Sequence, residues 1–291
     1  MLSPETVTAV VTVLENVLHQ KIILQGSQKV LGGDINETHV LQTSAGKFFL
    51  KINSATRPGM FEQEYKGLQL LASANALAVP APIATGKAGI NIFLVMEYIK
   101  RGNTCSDFWQ QFGAGLAAQH RKTNDYFGLD EHNYIGTVQQ DNTATPSWAG
   151  FYTHQRIMPL MQLALQQHKC SVKDVQLAEK LCSRFDKIFP KELPALLHGD
   201  LWGGNFMVGK NGQPVIYDPA VYYGHREMDI AMTLLFGGFD RKFYDYYNDA
   251  WPLEQGWQQR VQLCQLYPLL VHLLLFDGHY YNNVMEIIKR Y

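Results

Sequence analysis

The stretch Leu197-His198-Gly199-Asp200-Leu201-Trp202-Gly203-Gly204-Asn205, followed by Val215-Ile216-Tyr217-Asp218-Pro219, decides the reading of this chain. It sets one carboxylate at Asp200, one amide five residues on at Asn205, and a second carboxylate at Asp218 directly after an apolar run. Phe206-Met207-Val208 and Val215-Ile216-Tyr217 read as two short strands around Gly209-Lys210-Asn211-Gly212, and Asn-Gly is a good hairpin signal. Such a hairpin carries Asn205 at one end and Asp218 at the other, two oxygen ligands for a hard cation such as Mg²⁺. Phosphoryl transfer from a nucleotide needs this set. One carboxylate orients and deprotonates an attacking hydroxyl, while an amide and another carboxylate hold the metal on the phosphates. A His-Gly-Asp tripeptide alone arises by chance; the whole arrangement is far more specific.

The Asp-to-Asn spacing is that of the protein-kinase catalytic loop, whose metal-binding Asp also follows a short hairpin. Gly199 stands where that loop has Arg, which points to the small-molecule branch of the kinase-like fold. A complete site of this kind also needs a lysine for the α- and β-phosphates and a carboxylate to hold it. Upstream, strand-like runs at 22–31, 38–42 and 47–52 are separated by Gly32-Gly33-Asp34-Ile35-Asn36 and Ser44-Ala45-Gly46, which describes a β-meander. Lys51 lies on its third strand between apolar neighbours, where a lysine either snorkels to solvent or meets a buried anion. In the next helix, from Met60 to about Ala76, Glu64 shares the face of Phe61, Tyr65, Leu68 and Leu71, whereas Glu62 points off it. Glu64 is the expected partner of Lys51, the alternative being a solvated Glu at the edge of that face. Gly32-Gly33 reads either as a loop whose N–H groups approach phosphates or as an ordinary hairpin turn. It is neither Gly-x-Gly-x-x-Gly nor a Walker loop.

The strand at 91–98 ends in Met96-Glu97-Tyr98 and turns polar through Lys100-Arg101-Gly102-Asn103. This shift marks a boundary between residues 1–98, a nucleotide-binding β-meander plus helix, and residues 99–291, which carry the catalytic loop, the hairpin and the substrate site. Met96, Glu97, Tyr98 and Ile99 form the interlobe linker, with adenine expected against backbone groups near Glu97 and Ile99. The second part reads as mainly helical, with helices over 104–121, 148–167 and 172–189. Trp148 and Arg156 are weak substrate-site candidates, since aromatics at helical spacing are most often core. His120 reads as a satisfied structural histidine rather than a ligand. Asp229, at the start of a helix, is placed to accept backbone N–H bonds from the catalytic loop, with His198 as further support; a favourable charge at a helix N-terminus accounts for it equally. The fold class is α+β: a two-lobed protein-kinase-like fold with a small β-rich N-lobe, one key helix in it, and a larger, mainly helical C-lobe.

Composition excludes other classes. The 291 residues are 46% hydrophobic and 18% charged, with a net charge of −1, which shows no global preference for nucleic acid or anionic membrane. Cys105, Cys170, Cys182 and Cys264 form no Cys-x-x-Cys pair, so neither zinc nor a redox pair is expected, and a reduced, cytoplasmic compartment fits best. The N-terminus reads as a helix capped by Ser3 with Pro4 at its first position, not as a signal peptide. The most apolar run, 266–276, is too short to span a bilayer and contains Pro268 and His272.

The catalytic-loop motif and the run Asp218-Pro219-Ala220-x-Tyr222-Tyr223-Gly224-x-Arg226-Glu227-x-Asp229 resemble the fructosamine kinase (ketosamine-3-kinase) family, within the aminoglycoside-phosphotransferase and choline-kinase clan. The resemblance spans most of the chain. Gly32-Gly33-Asp34-Ile35-Asn36 is similar to the family's nucleotide loop, and Phe61-Glu62-x-Glu64 to Gly67-Leu68 to its Glu-bearing helix. Phe127-Gly128-Leu129, Tyr134-Ile135-Gly136 and Gln140-x-Asn142 resemble the segment before its Trp148 helix. The resemblance implies ATP- and Mg²⁺-dependent phosphorylation of the O3′ hydroxyl of ketoamines, free or on protein lysines, followed by breakdown of the phosphorylated adduct and deglycation. Trp202 then lines the sugar pocket or packs the loop. Some family members carry a cysteine in the nucleotide loop; this chain has Asp34, so no thiol switch is expected there. Two alternatives remain: a kinase for an aminoglycoside- or choline-type acceptor, and a non-catalytic nucleotide-binding module. Sugar preference and oligomeric state are left open.

Overall fold

The computed structural model describes residues 2–30, 35–276 and 279–291, so the Gly32-Gly33 loop and Asp34 lie outside the described residues. The chain divides into two compact units, Met1–Phe108 with Met207–Asp218, and Trp109–Phe206 with Pro219–Tyr291. The hairpin that bears Asp218, read from sequence as part of residues 99–291, thus belongs to the first unit. Hydrogen bonds from the polar connector hold it there: Gly102 N–H donates to the Val208 carbonyl and Cys105 N–H to the Gly212 carbonyl.

In the first unit, helix α1 (Pro4–Leu18) precedes strands β1 (Leu24–Val30), β2 (Glu37–Thr43) and β3 (Gly46–Ser54). Helix α2 (Met60–Ala72) then leads to β4 (Pro82–Ala88) and β5 (Asn91–Glu97). The five strands form an antiparallel sheet in the order β1-β2-β3-β5-β4. Ser3 caps α1 with its side chain on the Thr6 N–H, and Pro4 occupies a first-turn position where its missing N–H is harmless. Val10 and Leu14 of α1 pack with Leu41, Leu50, Ile52, Phe93 and Val95 in one apolar core. Strand alternation sends Leu50 and Ile52 into that core and leaves Lys51 on the opposite face. α2 stops short of the expected Ala76 because the chain turns back at Ser73 and Asn75 takes a left-handed φ of 51°.

The second unit opens with α3 (Phe108–His120) and a hairpin of β6 (Asn133–Ile135) and β7 (Val138–Gln140). Helices α4 (Trp148–Phe151), α5 (Met158–Gln166), α6 (Val172–Cys182) and α7 (Phe185–Ile188) follow. Then come β8 (Ala195–Leu197), the hairpin strands β9 (Phe206–Val208) and β10 (Pro214–Ile216), which from Met207 on belong to the first unit, and β11 (Tyr222–Gly224). Helices α8 (Glu227–Leu235), α9 (Arg241–Ala250), α10 (Trp257–Leu275) and α11 (Tyr280–Arg290) complete the chain. β9 pairs with β10, and β8 pairs antiparallel with β11. Most of the helices share one core rich in Leu, Phe and Tyr, into which α10 buries Leu266, Leu270 and Leu273. Among the described residues no helix is long and apolar enough to cross a membrane.

Two expected helices are interrupted, each for a local reason. The predicted helix 148–167 is α4, a π-helical turn (Tyr152–Ile157) and α5. Pro159 cannot donate to the Gln155 carbonyl four residues back. The Met158 N–H reaches Thr153 instead, and the Arg156 side chain bonds the Gln155 carbonyl at 3.0 Å. The predicted helix 172–189 breaks after Cys182, where Arg184 N–H tightens onto the Leu181 carbonyl before α7.

Gly86 in β4 tests the packing of the sheet on its core. A Cβ there would lie 2.4 Å from the ring of Phe93, whereas one at Gly26 meets nothing within 4 Å. Gly86→Ala is expected to lower stability by about 1–3 kcal/mol in urea unfolding through overpacking. Gly26→Ala should stay within about 0.5 kcal/mol.

Candidate active site

In the first unit, β3 presents Lys51 between Thr38 of β2 and Leu94 of β5, with 2% of its surface exposed. Its Nζ donates to Glu64 Oε1 at 2.7 Å and to Asp218 Oδ1 at 3.0 Å, and stands 6.0 Å from the Phe61 ring centroid. Glu64 sits on α2 with Phe61 and Leu68, both fully buried, while Glu62 is exposed. Burial works against the Lys51 charge, yet Asp218 and Glu64 together outweigh it and hold the ammonium above its ordinary range. Burial pushes the Glu64 carboxyl up to about 6; Lys51 pulls it down and Asp218 pushes it up. One ammonium faces two carboxylates, so the cluster holds an excess negative charge. Lys51 stays charged, and the more buried carboxylate, Glu64, is the one that resists ionisation.

Asp218 follows β10 with φ +56°, a left-handed conformation uncommon for a residue with a side chain and of the kind found at functional sites. Its side chain is 39% exposed. At the end of β5, Met96 is buried and Glu97 N–H donates to the Ala81 carbonyl, after which the ladder stops. Tyr98, under the Lys47 ammonium, and Ile99 lie beyond it, both half-buried.

In the second unit, β8 delivers the chain to Asp200. The His198 and Gly199 N–H groups donate to the two oxygens of Asp229 at 2.7 and 2.9 Å. Asp229 is buried in the first turn of α8. Its carboxylate also meets His120 Nε2 at 3.1 Å, and His120 Nδ1 meets the Tyr247 hydroxyl at 2.8 Å. Burial alone would raise the Asp229 carboxyl. The His120 hydrogen bond and charge, His198 and the Gly199 N–H together hold it below the usual carboxylate range. Gly199 takes φ +82°, and a Cβ there would fall 2.0 Å from the Ala220 carbonyl oxygen, so only glycine fits. The Asp200 N–H donates to His198 Nδ1 at 3.3 Å. The Asn205 amide nitrogen donates to Asp200 Oδ2 at 2.9 Å and to the Asp200 carbonyl at 2.8 Å. Asn205 thereby orients the Asp200 carboxylate while its own Oδ1 remains the acceptor end. Trp202 is 37% exposed, with its ring 5.9 Å from that of Phe236.

Trp148 and Arg156 are packed inside the second unit. Trp148 stacks on Tyr152 at 4.9 Å, and Arg156 is fully buried. His120 and Tyr247, which no spacing in the sequence ties to Asp229, are brought to it by α3 and α9.

The Asp229 geometry gives a pH-dependent outcome. Asp229→Asn keeps the shape but loses the charge, and at neutral pH it is expected to lower unfolding free energy by about 1–3 kcal/mol. A depressed carboxyl stabilises the fold above its unfolded value of 3.8, and that contribution is lost as the pH falls through the lower folded value. Urea unfolding from pH 7 to pH 3 should therefore show the gap between the two proteins closing at the acid end.

Known proteins resemble this chain over nearly its whole length. The fructosamine kinase family model matches residues 6–291. An Enterococcus faecium protein named "Probable ketoamine kinase" is 37% identical over 90% of this chain and 94% of its own. The chloroplastic protein-ribulosamine 3-kinase of Arabidopsis thaliana is 36% identical over 89% of this chain and 80% of its own. The crystal structure of a "Putative fructosamine-3-kinase" from Haemophilus somnus superposes with a TM-score of 0.87 at 28% identity, covering 97% of this chain and 96% of that one. The fold extends to an aminoglycoside phosphotransferase in ternary complex with AMP-PNP and hygromycin B. It gives a TM-score of 0.60 at 13% identity, covering 96% of this chain and 97% of that one. The chain thus has the protein-kinase-like fold of aminoglycoside phosphotransferases and belongs to the fructosamine kinase family, a family of phosphotransferases.

Proposed function

We propose that this protein phosphorylates the O3′ hydroxyl of ketoamines, the fructosamine or ribulosamine adducts of amines and protein lysines, with ATP as donor. The observation that carries the reading is the Asp200 carboxylate, oriented by the Asn205 amide within a loop that Asp229 grips. Family membership and the names of the relatives supply the substrate class. Lys51, held by Glu64, meets the α- and β-phosphates, and the backbone at Met96–Ile99 receives the adenine. Asn205 and Asp218 are the residues that would hold Mg²⁺. Their oxygen donors suit a hard cation, and the excess negative charge around Lys51 is electrostatically suited to one. The metal when bound neutralises charge on the phosphates. Asp200 accepts the proton of the attacking hydroxyl. Phe236, 41% exposed beside Trp202, and His272, 4.8 Å from Phe236, extend an apolar ring surface suited to a sugar's C–H side. A 3-phosphorylated ketoamine breaks down and frees the amine, which makes deglycation the consequence of the reaction. Four free thiols fit a reducing compartment such as the cytoplasm.

Asp200→Asn is expected to lose about 10²–10⁴ in kcat, the usual worth of general-base assistance, while nucleotide binding persists. Near-normal turnover would remove Asp200 from this role. An acceptor panel with ATP, read by mass spectrometry, should show phosphate on ribulose- or fructose-amines. Transfer to choline or an aminoglycoside alone would reassign the substrate.

A further inference from the structure

Arg156, a substrate-site candidate by its place in the sequence, lies in the core of the second unit with no exposed surface. Burying a guanidinium is costly unless its charge and its donors are satisfied. Here the two terminal nitrogens donate to amide oxygens rather than to a carboxylate, while Nε is buried without a hydrogen-bond partner among the described residues. Nη1 donates to the Asp141 carbonyl at 2.6 Å and to the Gln155 carbonyl at 3.0 Å; Nη2 donates to Asn142 Oδ1 at 2.7 Å. The charge is compensated by ring faces. The guanidinium carbon is 4.3 Å from the Tyr222 ring, 4.5 Å from Phe151 and 5.3 Å from Tyr267. The π-helical turn serves this placement, because Pro159 leaves the Gln155 carbonyl without its helical donor and Arg156 takes it.

From Arg156 a buried chain of amides runs to the catalytic loop. Asn142 Nδ2 donates to Asn133 Oδ1 at 2.8 Å, and Asn133 Nδ2 donates to the Val221 carbonyl at 2.7 Å. Gln140 Nε2 donates to Asn133 Oδ1 at 2.8 Å and to the Ala220 carbonyl at 3.3 Å. The Tyr267 hydroxyl, its pKa pushed up to about 12 by burial, donates to Gln140 Oε1 at 2.7 Å. Ala220 is the contact with the loop: its N–H donates to the His198 carbonyl at 2.9 Å, and its carbonyl oxygen abuts Gly199. The loop is therefore gripped from two sides, by Asp229 through two N–H groups and by Ala220 through a carbonyl. The second grip is only as firm as the amides that hold Ala220 and Val221.

We propose that Arg156 and Tyr267 are positioning residues, which act through Asn142, Asn133 and Gln140 to fix Ala220 and with it the catalytic loop that carries Asp200. The proposal rests on Asp200 as the base for its kinetic consequence, but not for its structural one, so two readouts separate them. Arg156→Lys keeps the charge and loses the planar fork; Tyr267→Phe removes one hydroxyl at nearly constant volume. Tyr152→Phe is the control, since its hydroxyl bonds the Leu263 carbonyl in the same core and takes no part in the chain. Amide hydrogen exchange is followed in peptides covering 196–206 and 219–226 of the full-length protein. Both test variants should exchange about five- to tenfold faster there, the scale of one lost buried hydrogen bond, with α6 unchanged. In phosphorylation assays kcat should fall by a similar factor while KM for ATP and for acceptor stays within about twofold, the mark of an interaction expressed in the transition state. Unchanged exchange in both variants, or equal loosening in Tyr152→Phe, overturns the proposal whatever the acceptor proves to be. A raised acceptor KM at constant kcat overturns it too and returns Arg156 to substrate binding.

Discussion

The second unit depends on one buried carboxylate. Asp229 accepts two consecutive backbone N–H groups, from His198 and Gly199, which the loop cannot satisfy within itself because it has just left the β8 ladder. His120 and Tyr247 complete the surroundings of that carboxylate, so α3, α8 and α9 all converge on the loop. Gly199 follows from this constraint. Its left-handed backbone turns the chain under Ala220, where no side chain fits, and brings Asp200 out half-exposed beside the Asn205 amide.

The first unit is organised around a different electrostatic problem. β3 pushes Lys51 into a nearly closed environment on the face of the sheet away from α1, and two carboxylates from distant parts of the sequence meet it there. Two anions around one cation are more than charge balance requires. Glu64 resists ionisation as a result, and Asp218, more exposed and held in a left-handed conformation, is the carboxylate best able to exchange the ammonium for another cation. Strain and excess charge at one residue suit a ligand that binds and leaves.

Much of this was legible in the residues. Lys51 and Glu64 could be paired because a lysine among apolar strand residues must snorkel or meet an anion, a glutamate shares the packed face of the next helix, and the Asp200, Asn205 and Asp218 set calls for such a pair. Asp200, Asn205 and Asp218 could be picked out because they stand within fewer than twenty residues of one another, and the hairpin expected before Asp218 forms as β9 and β10. The π-helical turn at Tyr152–Ile157 was less legible. Pro159 near the start of a helix usually marks a boundary, and here the Arg156 side chain supplies the donor that lets the helix continue. Arg156 was read only as a weak substrate-site candidate beside aromatics expected to be core, and it lies buried among those rings. Spacing alone records neither the rings nor the amide oxygens that make the core a tolerable place for its charge.

The sequence by itself determined the family and the secondary elements that carry the candidate residues: the meander with Lys51, the helix with Glu64, the loop with Asp200, and the hairpin ending at Asp218. Periodicity and short spacing suffice for these because each is settled within one or two turns of chain. Tertiary structure alone decided what holds the catalytic loop. His120 and Tyr247 behind Asp229, and Arg156, Asn142, Asn133, Gln140 and Tyr267 behind Ala220, come together across separations of up to 127 residues. No local pattern records such partners. Buried hydrogen-bond donors and acceptors must find each other once the core has closed, and which ones meet is a property of the packing.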